Sequence, residues 1–258
     1  MPRISANLSM LFTEVPFMQR FAAAAHAGFS AVEVQFPYAW NAKDIRAQLH
    51  EHDLELVLFN LPAGDWDAGD RGIAADWDRR DEFRAGIDQA MSYVDVLQPK
   101  LVNLLAGASE ETDENDLALL QNIRLAAEAL GEEGITLVIE PVNSIDVPGF
   151  ALPRAFAALD VISEIDAANV KLQLDVYHAL MMDEDPVALL QEHIDDIGHI
   201  QIADVPGRHQ PGTGVVDWRV FFAALDSLGY EGAVGLEYIP EGDTESTFGL
   251  LKELGVLN

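Results

Sequence analysis

Cysteine is absent from all 258 residues. That excludes disulfides, thiolate metal sites and cysteine nucleophiles. A disulfide-free chain of this size also suits a reducing, cytoplasmic location. Basic residues are few: 15 lysines and arginines stand against 44 aspartates and glutamates, for a formal charge of −29. A field of that sign repels phosphate backbones. No basic stripe offsets it locally, so nucleic acid is not an expected partner. Most of the acidic residues are read as solvated surface, because net charge chiefly sets solubility. Long apolar runs are missing too. No segment approaches the ~18 continuous apolar residues a membrane helix needs, and the opening MPRISANLSMLFTEVPF lacks the pattern of a secretory leader. The expectation is a soluble protein that does not engage membranes.

What the chain does contain is repetition. A short apolar, β-rich run followed by an amphipathic segment recurs eight times. The runs are Ile4–Ser9, Ala31–Phe36, Leu54–Asn60, Leu101–Ala106, Ile135–Glu140, Val170–Asp175, Gly198–Ala203 and Ala233–Tyr238. The helical spacings fall at Pro16–His26, Ala42–His52, Asp81–Leu97, Leu117–Leu130, Pro153–Ile165, Pro186–Asp196, Trp218–Leu228 and Thr244–Leu254. Runs such as Leu137-Val138-Ile139 are apolar on successive residues, which suits strands covered on both faces. Eight such units without a long linker predict an α/β fold, a closed (β/α)8 TIM barrel in one domain over residues 1–258. A G-x-G-x-x-G fingerprint after the first strand is absent, which argues against a dinucleotide-binding sheet. The longest irregular stretch is Pro62–Arg80, and loops of that length are often functional.

In such barrels the site lies at the carboxyl ends of the strands. The last four runs each carry a polar residue there: Glu140 in LVIEPVN, Asp175 in LQLDVYH, Gln201 in GHIQIAD and Glu237 in VGLEY. A carboxylate after a buried apolar run is costly unless paired or coordinated. Converging carboxylates also repel one another unless a cation lies between them. Oxygen ligands suit Mg²⁺ or Mn²⁺ better than zinc. The blander alternative, that each residue caps a strand or bonds a loop, fits any one of them but fits four successive strands poorly.

These segments carry a resemblance. ANLSMLF, LFNLPAGDWDAGDRGIA, EPVNSIDVPGF, LDVYH, HIQIAD, PGTG and GLEY resemble the hydroxypyruvate isomerase family, within the xylose isomerase-like TIM barrels. The likeness runs in order over nearly the whole chain. It implies Glu140, Asp175, Gln201 and Glu237 as metal ligands, with Glu140 and Glu237 also the catalytic acid/base pair. It implies a small anionic hydroxy-keto acid as substrate and a metal-assisted isomerisation. Sugar epimerases of the superfamily usually have histidine where this chain has Gln201, a departure that fits the small-acid branch. His178 matches their D-x-x-H pattern and is expected to bond a substrate oxygen. Asp146 falls where they often carry a supporting acid.

The substrate carboxylate needs cationic partners in so acidic a chain. Arg71 and Arg208 are the candidates, because guanidinium grips carboxylates bidentately. Asn60 and Asn103 end strands three and four and are candidates to touch substrate or orient ligands. Glu33 and Asp204 are weaker candidates of the same kind, and His199 is expected to be structural. Trp66 and the loop Pro62–Arg80 would either cover the pocket or form a rigid surface loop. Rival readings are a 2-oxo-tetronate isomerase, a ketose 3-epimerase disfavoured by Gln201, and a non-catalytic ligand-binding barrel. An endonuclease IV-like protein is opposed by the charge and by the scarcity of strand-end histidines. Barrels often assemble through helical faces, so a homo-oligomer is compatible with this reading, although no single patch marks its interface.

Overall fold

The strands form where β-branched and leucine-rich runs stand between turn residues. In the computed structural model, which describes residues 2–257, they are β1 (Arg3–Asn7), β2 (Ala31–Val34), β3 (Glu55–Asn60), β4 (Leu101–Leu105), β5 (Thr136–Glu140), β6 (Val170–Asp175), β7 (Ile197–Ile202) and β8 (Ala233–Leu236). Each pairs in parallel with the next. The barrel closes where Ile4 of β1 registers with Val234 of β8. The expected barrel is therefore present, and of the expected 1–258 span only Met1 and Asn258 lie outside the described residues.

The helices are α1 (Phe17–His26), α2 (Ala42–Glu51), α3 (Arg80–Leu97), α4 (Asp113–Glu132), α5 (Ala155–Ile165), α6 (Val176–Met181), α7 (Pro186–His193), α8 (Trp218–Leu228) and α9 (Gly249–Glu253). Three departures from the spacing have local causes. The helix expected from Leu117 starts four residues earlier, because the Thr112 side chain accepts the Asn115 N–H and fixes the first turn there. The segment expected as helix over Thr244–Leu254 is a 3₁₀ turn, Thr244–Phe248, followed by α9. The third departure, α6, was not anticipated. It follows β6 without a loop, since Asp175 ends the strand and caps the helix by accepting the Tyr177 N–H at 2.8 Å.

Alternation along the strands sorts side chains between two environments. In β5, Leu137 and Ile139 join the main core between barrel and helices, whereas Val138 belongs to a separate small cluster with Ala31, Leu58 and Ala233. Residues two positions on from this inner cluster face the same way. They are Glu33 after Ala31, Asn60 after Leu58, Glu140 after Val138, and Gly235 then Glu237 after Ala233. The inner rows thus run from an apolar floor to a polar mouth.

Candidate active site

Glu140, Asp175 and Glu237 are each at most 5% exposed. Glu140 Oε2 accepts from Asn103 Nδ2 at 2.6 Å, and the same amide reaches Asn60 Oδ1 at 3.3 Å. The Asp175 carboxylate is shared: Oδ1 caps α6, and Oδ2 accepts from Arg208 Nη2 at 3.0 Å. Glu237 follows the last residue of β8, slightly short of the expected strand end. Its Oε1 accepts from Gln35 Nε2. Its Oε2 lies 3.5 Å from Arg208 Nη2 and has no hydrogen-bond partner among the described residues.

Burial dominates the electrostatics of all three. It pushes Glu140 well above the usual carboxylate range, with Glu237 and Asp175 adding like-charge repulsion and Arg208 and Asn103 opposing it. Asp175 is pushed up to about 6, again chiefly by burial and against the pull of Arg208. Glu237 is pushed up to about 7 on the same balance. Burial also holds His178 well below the usual imidazole range, so its ring is neutral. Its tautomer follows from its partners. The Asn143 side-chain amide lies 2.7 Å from Nδ1, and the Asn143 backbone N–H donates to the same atom at 3.4 Å. Asn143 Oδ1 is meanwhile occupied by the Ile145 and Asp146 N–H groups, which turns its NH₂ toward the ring. Nδ1 is therefore the acceptor and Nε2 carries the proton, 3.6 Å from Asp175 Oδ2 and 4.0 Å from Glu140 Oε1.

Donor atoms of Glu140, Asp175 and His178 all lie within 4.8 Å of one another, a cluster able to hold a metal ion. With Nε2 protonated, His178 is better suited to donate to an oxygen than to ligate. The fit to a divalent cation rests on the carboxylates: buried, mutually repelling, one with an unpartnered oxygen. Gln201 is placed differently from the other expected ligands. It registers with Asp175, but its Nε2 donates to Glu33 Oε1 at 2.7 Å and its Oε1 accepts from Gln173 Nε2 at 2.7 Å. Glu33 also accepts from Ser5, Asn7 and His199 Nε2, the last at 2.9 Å. Glu33, His199, Gln173 and Gln201 thus form one hydrogen-bonded layer beneath the mouth.

A cavity of about 220 Å³ opens over these groups, and Glu140, Glu237, His178, Asp146, Asn60, Arg71 and Arg208 all line it. Asn103 stands behind Glu140 and does not line it. Asp146 accepts from Tyr177 Oη at 2.8 Å and from Asn143 Nδ2 at 3.0 Å. The loop Pro62–Arg80 covers one side with Trp66 and Arg71. It is tied down at Gly72, whose φ of +112° and position 2.3 Å (as a built Cβ) from Leu105 O leave room only for glycine. Asp204 does not line this cavity. It is a loop hub that accepts from Trp218 Nε1 at 2.9 Å and from the Gly212 N–H at 2.8 Å.

Sequence reasoning missed Gln35, Asn143 and Tyr177. Gln35 was within reach, because it stands two residues beyond Glu33, one past the end of β2, where the alternation carries on. Asn143 depends on how the loop folds back after β5, and Tyr177 on a helix that follows β6 without a loop, and no periodicity reports either.

Residues 21–254 match the model of the xylose isomerase-like TIM barrel family. The chain is 42% identical to a 2-oxo-tetronate isomerase of Cupriavidus necator, covering 98% of both chains. It is 42% identical to a hydroxypyruvate isomerase of Escherichia coli, covering 95% of this chain and 96% of that one. Among solved structures, a protein titled AP endonuclease, family 2, from Brucella melitensis superposes with a TM-score of 0.95 at 41% identity, covering 98% of this chain and 99% of that one.

Proposed function

Because the chain belongs to the xylose isomerase-like TIM barrel family and is an isomerase like its full-length relatives, we propose that it interconverts hydroxypyruvate and 2-hydroxy-3-oxopropanoate. The observation that carries this reading is the pair of buried glutamates, Glu140 and Glu237, raised toward neutrality and facing one small cavity with two guanidiniums. A carboxyl group whose pKa lies near the working pH is matched to moving a carbon-bound proton.

In the forward direction one glutamate takes a proton from the hydroxymethyl carbon of hydroxypyruvate. The other delivers a proton to the neighbouring keto carbon, while the hydroxyl proton passes between the two oxygens. The Nε2–H of His178 donates to a substrate oxygen, which orients the keto group and stabilises charge developing there. Asn103 holds Glu140, and Gln35 holds Glu237, so that each base keeps its orientation. Glu140, Asp175, Gln201 and Glu237 would hold a divalent cation, which we assign as Mg²⁺ or Mn²⁺ from the oxygen donor set. When bound, that cation supplies Lewis-acid stabilisation of the negative charge on the substrate oxygens. For Gln201 this role requires its amide oxygen to leave Gln173. Tyr177 and Asn143 orient Asp146 at the cavity wall, and a guanidinium on that wall receives the acid's carboxylate. We further propose that the protein works in the cytoplasm on a small acid, with no nucleic acid or membrane partner, and that it self-associates through helical faces.

The relatives named 2-oxo-tetronate isomerase support a second reading, in which the same machinery acts on a four-carbon acid. The net charge of −29 opposes an endonuclease activity of the kind the Brucella protein is named for. The deciding experiment is turnover of hydroxypyruvate and of 2-oxo-tetronate by chelator-treated protein with Mg²⁺ or Mn²⁺ restored, beside Glu140→Gln and Glu237→Gln. We expect metal-dependent turnover, lost by about 10³-fold or more in either variant, with the higher kcat/KM on hydroxypyruvate. A higher value on the four-carbon acid would replace the substrate, and no turnover of either would overturn the assignment.

A further inference from the structure

Two guanidiniums line the cavity, and they are not equivalent. Arg208 Nη2 lies 3.0 Å from Asp175 Oδ2 and 3.5 Å from Glu237 Oε2, so its charge is committed to the acidic cluster. Arg71 has different company. Its Nη1 donates to two backbone carbonyls of its own loop, Trp66 O at 3.1 Å and Asp70 O at 2.6 Å, and its guanidinium carbon stands 4.0 Å from the centre of the Trp66 ring. The adjacent carboxylate of Asp70 turns away, to Arg79 Nη1 at 2.8 Å and to the Asp65 N–H at 2.7 Å. Among the described residues no carboxylate forms an ion pair with Arg71.

We propose that Arg71, carried on the face of Trp66, is the residue that selects an acid over the corresponding neutral sugar. This rests on the isomerase reading above. The remaining titratable groups on the cavity wall are Glu140, Glu237, Asp146 and neutral His178, so Arg71 and Arg208 are the cationic side chains an entering anion can meet there. A cation already paired to Asp175 adds little attraction for it, whereas Arg71, which feels the Asp70 carboxylate only at a distance while that group pairs with Arg79, keeps more of its charge for the ligand. With its guanidinium carbon 4.0 Å from the centre of the indole ring and Nη1 held by two carbonyls, the fork has Nε and Nη2 left for the two parallel bonds a carboxylate accepts. A hydroxymethyl group at the same place accepts no such pair. The platform is itself fixed, since Trp66 packs against Phe36 with ring centres 4.9 Å apart and the loop is pinned at Gly72.

The test pairs binding with selectivity, using the Mn²⁺-loaded protein. Pyruvate, a 2-oxo acid without the hydroxyl that isomerisation needs, is titrated by calorimetry into wild type, Arg71→Gln and Trp66→Leu. Separately, kcat/KM is compared for hydroxypyruvate and for dihydroxyacetone, in which a hydroxymethyl group replaces the carboxylate. Loss of a charge-assisted pair should weaken pyruvate binding in Arg71→Gln by about tenfold to a hundredfold, and lower the ratio of the two kcat/KM values by a similar factor. Trp66→Leu, which keeps the charge but removes its platform, should show about a threefold loss in the same direction. Arg208→Gln should depress both substrates together and leave the ratio in place. Unchanged pyruvate binding in Arg71→Gln, a fall in both kcat/KM values at constant ratio, or an acid-selective loss in Arg208→Gln instead would each overturn the proposal. Wild type that binds pyruvate through Arg71 but turns over neither acid would sink the isomerase assignment and leave the acid-selecting role intact.

Discussion

Asn103 reaches across from β4 to Glu140 on β5 with an amide N–H at 2.6 Å, and this bond favours the ionised form of a carboxylate that burial pushes toward the protonated one. Replacing it with a leucine of similar volume deletes the donor while keeping the packing. A hydrogen bond to a buried charge is worth about 1.5–3 kcal/mol, and about 1.4 kcal/mol corresponds to one pKa unit. The acid limb of kcat/KM against pH in Asn103→Leu should therefore move upward by about one pH unit, with turnover recovering at the alkaline end. A pH profile that keeps its limb and drops uniformly would make Asn103 a packing residue and no more. His178 shows why a role can be read from partners rather than from residue type. Its type alone suggests a ligand, but two N–H groups of Asn143 on Nδ1 assign the proton to Nε2 and make it a donor.

At the scale of strands, the inner rows explain both the site and its support. Glu33 leaves β2 and ends beside β8, where a Cβ built on Gly235 would stand 2.4 Å from Glu33 Oε2. That glycine is required by close approach, not by backbone conformation. Gly235→Ala should displace the Glu33 carboxylate from Ser5, Asn7, His199 and Gln201 together, costing about 3 kcal/mol by overpacking and lost hydrogen bonds. Thermal unfolding measures this, and a change below about 0.5 kcal/mol would mean that the layer repacks freely. The strands and the carboxylates on them were legible in the sequence because alternation and apolar runs report directly which face is buried. Glu140, Asp175 and Glu237 followed from that pattern. The ties of Gln201 to Glu33 and Gln173 were not legible, since neighbours across a barrel are set by register and by shifts such as those at Val32/Glu33 and Leu172/Gln173, which leave no local trace. Nor was α6, because a helix that starts on the last residue of a strand has no turn chemistry to announce it.

For the whole molecule, the buried site and the net charge of −29 both make stability depend on pH, and they can be separated. Burial holds Asp175 at about 6, Glu237 at about 7, and Glu140 well above the usual range. In protein stripped of divalent ions, the folded form therefore keeps protons that the unfolded chain has released. Stability from these groups is complete below about pH 4, the unfolded carboxylate range, and is lost as pH rises through 6 and 7. Glu33 and Asp204, held below the usual range, act oppositely: their contribution is present above about pH 4 and lost on acidification. Cation-free protein should thus be most stable near pH 5 and lose on the order of 3 kcal/mol, or roughly 6–10 °C in Tm, by pH 8. A divalent cation binds the deprotonated ligands, so its stabilisation grows as pH rises and flattens that slope. Surface self-repulsion also grows with pH, but in 1 M NaCl the screening length falls to about 3 Å and that part fades. The measurement is Tm from pH 5 to 8 in 1 M NaCl, with chelator and with Mn²⁺. Convergence of the two curves near pH 5 and divergence by pH 8 is the expected result. Parallel curves would mean that the three carboxylates are not where the cation binds.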